Sequence, residues 1–228
     1  MKMFVRVLAL TVGLAAFAQP ATAASITADF NTQFSNGTFP GVPGPWLRVT
    51  FDDTAAGAGF DVRMTLEVLN LAATEFAANW WFNLNPAIDP LELGFAGVDL
   101  TDVGGFVATS GDDCCNADGG GLYDIKFAFA TAAGPNRFTN GESVVIDINW
   151  VGGALLASDF AFPATPLGDH GPFYAAAHIQ GIVGGDGSTY VAPGGVFINP
   201  QAIPAPEPGS LVLLGTGLVV VARRLRRR

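Results

Sequence analysis

The stretch Phe60-Asp61-Val62-Arg63-Met64-Thr65-Leu66-Glu67-Val68 sets the fold class. Val62, Met64, Leu66 and Val68 fall on one face, and Asp61, Arg63, Thr65 and Glu67 on the other. Alternation with period two is the mark of a half-buried β-strand. Two other stretches repeat it. Tyr123, Ile125, Phe127 and Phe129 alternate with Asp124, Lys126 and Ala128, and Val144, Ile146 and Ile148 alternate with Val145, Asp147 and Asn149.

Working outward, strands are predicted over 25–30, 46–51, 79–83, 103–109, 155–162, 175–183 and 196–198. Between them lie turn-rich stretches such as Pro40-Gly41-Val42-Pro43-Gly44-Pro45 and Gly184-Gly185-Asp186-Gly187. Many short strands with Gly, Pro and Asn turns predict an all-β domain, an antiparallel β-sandwich of jelly-roll type. A short helix fits only over 69–78. No repeat of fixed period occurs. The core domain is read as 24–191, followed by a Pro-rich linker over 192–203.

The two ends read differently. Met1-Lys2 and Arg6 form a positive n-region, residues 7–17 an apolar run, and Ala21-Thr22-Ala23 a small-x-small box. This is the pattern of a cleavable signal peptide over 1–23, cut by signal peptidase after Ala23 or, alternatively, Ala24. At the other end, Pro206-Glu207-Pro208 precedes an apolar helix over 210–222, and the arginines of 223–228, led by Arg223 and Arg224, close the chain. Such a helix covers roughly 20 Å at about 1.5 Å per residue, against a bilayer core of roughly 30 Å. It spans only with tilt, thinning or snorkelling arginines, and those arginines hold its end on the cytoplasmic side. The segment reads as a temporary transmembrane stop.

A signal peptide at one end, and Pro-Glu-Pro, apolar helix and Arg cluster at the other, together resemble the PEP-CTERM proteins exported by Gram-negative bacteria. The resemblance covers residues 204–228. It implies that an inner-membrane exosortase recognises the tail, cuts near Pro206-Glu207-Pro208 and releases the protein to the cell surface or exopolysaccharide matrix. Inside the chain, Tyr123-Asp124-Ile125-Lys126-Phe127, Asn136-Arg137-Phe138-Thr139-Asn140-Gly141-Glu142 and Ala177-His178-Ile179-Gln180-Gly181-Ile182 are similar to segments of PEP-CTERM core domains, a group that implies no particular activity.

Without the two ends, only Arg48, Arg63, Lys126 and Arg137 stand against all 20 Asp and Glu residues. A surface this anionic repels nucleic acid and anionic lipid and attracts divalent cations. At about 180 residues the mature region is long enough for one well-filled core.

Cys114 and Cys115 are the only cysteines and are adjacent. In an oxidising compartment they form a vicinal disulfide, pair with other chains, or stay reduced or metal-bound. The Cys-x-x-Cys of thiol exchange is absent. Around them, Asp112, Asp113, Asn116 and Asp118 offer oxygens suited to Ca²⁺, with a solvated turn as the plain alternative. An EF-hand alignment of this loop fails, because it puts Cys114 first and Ile125 where the bidentate acid belongs.

His170 and His178 lack a third zinc ligand at recognisable spacing, and no Gly-x-Ser-x-Gly occurs. Trp80 and Trp81 point to opposite faces of a strand. Either one is exposed as a platform for a sugar ring, flanked by Asn79 and Asn83, or one sits in the core and the other under a loop. Three function classes follow. The leading one is a non-enzymatic surface or matrix protein without a required cofactor. The others are a Ca²⁺-assisted carbohydrate-binding module and a secreted polysaccharide-acting hydrolase.

Overall fold

The computed structural model describes residues 25–165 and 167–195. The readings of a signal peptide, of a strand at 196–198 and of the sorting tail fall outside them. Ten strands form the domain: β1 (Ser25–Gln33), β2 (Leu47–Asp52), β3 (Val62–Val68), β4 (Phe76–Phe82), β5 (Leu93–Asp99), β6 (Val107–Asn116), β7 (Leu122–Ala128), β8 (Ser143–Trp150), β9 (Ala175–Gln180) and β10 (Ser188–Pro193). Every pairing is antiparallel.

The strands do not divide into the two separate sheets of a sandwich. They follow one continuous order, β5-β8-β3-β2-β1-β10-β9-β4-β7-β6. The β1–β10 pairing, with Phe30 opposite Pro193, joins what a sandwich would leave as two layers. The sheet rolls until its ends approach: Phe95 of β5 meets Phe127 of β7 edge-to-face at 5.2 Å. The 3₁₀ turn Pro90–Glu92, which leads into β5, packs on β6. The result is a nearly closed antiparallel barrel, which leaves only two edges to protect.

The alternating residues line its interior. Val62, Met64, Leu66 and Val68 of β3 are buried, as the sequence pattern requires, and so are Val144, Ile146 and Ile148 of β8. Aromatic rings fill the centre. Phe30 meets Trp80 edge-on at 5.1 Å, and Phe51 meets Phe82 at 5.4 Å. Such pairs add about 0.5–1.5 kcal/mol each beyond the area they bury.

Residues 155–162, expected as a strand, contain instead the 3₁₀ turn Ala157–Phe160. The reason is Asp159, whose carboxylate accepts the Leu156 N–H at 2.9 Å and the Asn85 amide at 3.0 Å and so curls the chain. The turn drives Phe160 inward to stack on Phe51 at 4.1 Å.

Residues 69–78 form no helix. Glu75 accepts the N–H groups of Gly41 (2.7 Å) and Ala72 (2.9 Å), and β4 begins at Phe76. Strands β5 and β10 are additions to the sequence reading, and β10 carries the paired sheet to Pro193, two residues into the stretch read as linker.

Candidate functional site

The Asp-rich stretch is a wide bulge in β6. Ser110 pairs with Ile125 and Cys115 with Tyr123, so four residues of β6 stand opposite Asp124 alone. Extra residues in one strand bend it and re-aim side chains. Asp113 takes a positive φ of 51° at the crest. Cys114 and Cys115 are bonded to each other, so neither offers a thiol.

The bulge gathers carboxylates. One oxygen from each of Asp112, Asp113 and Asp124 lies within 4.8 Å of the others. Asp124 is held from two sides, accepting the Asp113 N–H at 3.1 Å and the Leu84 N–H at 2.9 Å. Burial, with Asp112 and Asp124 close by, pushes the Asp113 carboxyl above its ordinary value.

These three acids line a cleft of about 530 Å³ together with Asn83, Phe162 and Pro163. Asn83 follows the last residue of β4. It is 3 % exposed, and its Nδ2 has no hydrogen-bond partner.

The metal set expected from sequence is therefore divided. Asp112 and Asp113 meet at the cleft, joined by Asp124. Asn116 pairs with Leu122 beyond the bulge. Asp118, in the following turn, lines a second recess of about 260 Å³ with Ser35, His170, Asp186 and Tyr190. Asp124 and Asn83 are the residues that the metal reading passed over. A plain hairpin through Gly119-Gly120-Gly121 would set Asp124 against Cys114; only the bulge brings Asp112 and Asp113 to it.

The tryptophans do not form a platform. Trp80 is fully buried inside the barrel, and Trp81 on the outer face is 3 % exposed. Trp81 belongs to one apolar cluster with Phe34, Ala164, Phe173 and Tyr190; it meets the Tyr190 ring at 5.7 Å, and Lys126 Nζ stands 5.4 Å from its ring centre. Of the two arrangements open from sequence, the one with an indole under a loop is found.

His178 packs flat on Tyr190 at 4.3 Å, and burial lowers its pKa. His170 donates its backbone N–H to Gly119 at 3.1 Å, which ties its loop to the β6–β7 turn.

The fold and site define an all-β, barrel-like domain with an acidic cleft at one hairpin. Residues 204–228 match the PEP-CTERM protein-sorting motif. That motif marks an exported precursor that transits the membrane and is sorted to the cell surface through an exosortase. No curated protein and no solved structure matches the chain.

Proposed function

We propose that this is a non-enzymatic protein of the cell surface or exopolysaccharide matrix, freed of residues 1–23 by signal peptidase and of its C-terminal helix by exosortase. The single observation that carries the reading is the sorting motif at 204–228, placed behind a self-contained anionic barrel. Association with extracellular polysaccharide is its molecular means.

The cleft, rather than Trp80 and Trp81, supports that association. Its lining combines a carboxylate cluster with the half-buried Phe162 and Pro163, and so offers both acceptors for hydroxyl groups and apolar contact. The same observation favours a Ca²⁺-assisted carbohydrate-binding module as the second reading.

Pulldown of the envelope-derived protein on purified exopolysaccharide, with and without EDTA, tests the glycan part. Retention supports it, and recovery equal to an inert acidic control protein overturns it.

A further inference from the structure

We propose that Asp112, Asp113 and Asp124 bind one divalent cation of the Ca²⁺ type, with Asn83 meeting the non-protein oxygen that completes its shell.

Register puts these groups together. Phe82 of β4 pairs with Ile125 of β7, so the next residue along, Asn83, comes level with Asp124. On the far side of β7, the β6 bulge places Asp112 and Asp113 against the same residue. Three strands thus deliver four oxygen-bearing side chains to one cleft.

The distances suit a shared ion. Oxygens bound to one Ca²⁺ at about 2.3–2.6 Å stand at most about 5 Å apart. One oxygen of each carboxylate already falls within 4.8 Å of the others. The Asp124 oxygens each accept one backbone N–H, which aims the carboxylate and leaves lone pairs for a cation.

The charge is also unanswered by protein. Among the described residues the ion pairs are Arg48–Asp29 and Arg63–Asp147, and neither involves the cluster.

Asn83 supplies the independent observation. A buried amide nitrogen without a partner costs about 1–3 kcal/mol, so such a group marks a place where something else is bound. Asn83 lines this cleft, and its Nδ2 is buried and unpartnered. A water or hydroxyl oxygen on the cation keeps a lone pair that can accept that N–H.

The donor set selects the ion. All the side-chain donors at the cluster are hard oxygens, and both sulfurs are tied up in the Cys114–Cys115 bond, which disfavours Zn²⁺. A bulged, partly exposed set of carboxylates suits Ca²⁺ better than Mg²⁺, which demands a tight octahedron.

The test is calorimetric titration of Ca²⁺ into EDTA-stripped protein recovered from the envelope and matrix fractions, with melting curves in parallel. One Ca²⁺ per chain is expected, with a rise in Tm of about 5–10 °C once Ca²⁺ exceeds its Kd about a hundredfold. The double variant Asp112→Asn/Asp113→Asn should weaken binding at least tenfold while its metal-free Tm stays at the parent value, since neither carboxylate holds a backbone group. Asp169→Asn/Asp186→Asn removes the same charge elsewhere and should bind as the parent does. Parent-like binding by the cluster variant, equal affinity for Mg²⁺, or no response at 10 mM Ca²⁺ would each overturn the site. The site stands apart from glycan association, since the titration contains no polysaccharide.

Discussion

Asp147→Ala should cost far more than its mirror image on the neighbouring strands. Asp147 lies directly opposite Arg63 across β3 and β8. Its carboxylate accepts Arg63 Nε at 2.8 Å, Arg63 Nη2 at 2.9 Å and the Gly57 N–H at 2.9 Å. Side-chain exposure is 4 % for Asp147 and 29 % for Arg63. Removing the carboxylate strands a partly buried guanidinium and a backbone amide. Breaking a fully buried pair costs about 3–5 kcal/mol, and water reaching Arg63 recovers part, which leaves about 3 kcal/mol. For a domain of this size each kcal/mol moves Tm by about 2–4 °C, so a fall of about 6–12 °C is expected.

Asp29→Ala is the control. It breaks the same fork, with Arg48 Nε at 2.6 Å and Nη2 at 3.0 Å, directly across β1 and β2. There both side chains are over a third exposed, and the loss should stay below about 1 kcal/mol. Urea denaturation of both variants measures the difference, and Arg63→Ala with the double variant Arg63→Ala/Asp147→Ala completes the cycle for the buried pair. Equal losses would refute the argument that burial decides the value of the pair.

The pH dependence follows. The Arg63 hydrogen bonds, helped by Gly57, hold the Asp147 carboxyl below its ordinary value. A lowered acid contributes stability above its unfolded pKa of about 3.9 and loses it as pH falls through the folded value. The gap between parent and Asp147→Ala should therefore close below about pH 4.

Other outcomes are as specific. Trp80→Ala empties the centre of the barrel between Phe30 and Phe138 and should cost about 3–5 kcal/mol by urea denaturation. His178, buried against Tyr190 with Asp118 and Lys126 in range, has a lowered pKa, so the unfolded chain takes its proton first. Stability should fall as pH drops below about 6.5, and His178→Phe, which keeps a ring against Tyr190, should remove that fall between pH 7.5 and 5.5. Replacing Pro206-Glu207-Pro208 by alanines should trap precursor in the inner membrane, as read by fractionation. Undiminished release would show that the tripeptide is not what the processing enzyme reads.

The strands legible in the sequence were those with one face inside and one outside. Val62–Val68 alternates because the barrel interior takes every second residue. β5 was illegible for the opposite reason. It is an edge strand broken by Gly94 and Gly97, none of its residues is fully buried, and no period appears. β10 hid behind the Pro-rich run that follows it. A barrel and a sandwich share one alternation, and the β1–β10 pairing that separates them joins residues far apart in the chain. At the cleft, Asp112 and Asp113 were legible as clustered neighbours. In sequence Asp124 is only the polar side of a strand, because its role depends on register across the bulge. In sequence Asn83 stands out only as a neighbour of the tryptophans, whereas what distinguishes it is an unanswered amide that only burial reveals.

The central claim is that this barrel is cargo delivered by a tail that is then removed. Intact mass of the protein recovered from envelope and matrix fractions tests it most directly. The expected species lacks residues 1–23 and the apolar-Arg segment that ends at Arg228, and is lighter by two hydrogen atoms for the Cys114–Cys115 bond. A mature species that still carries Arg228 would contradict it and make this an inner-membrane protein held by its own C-terminal helix.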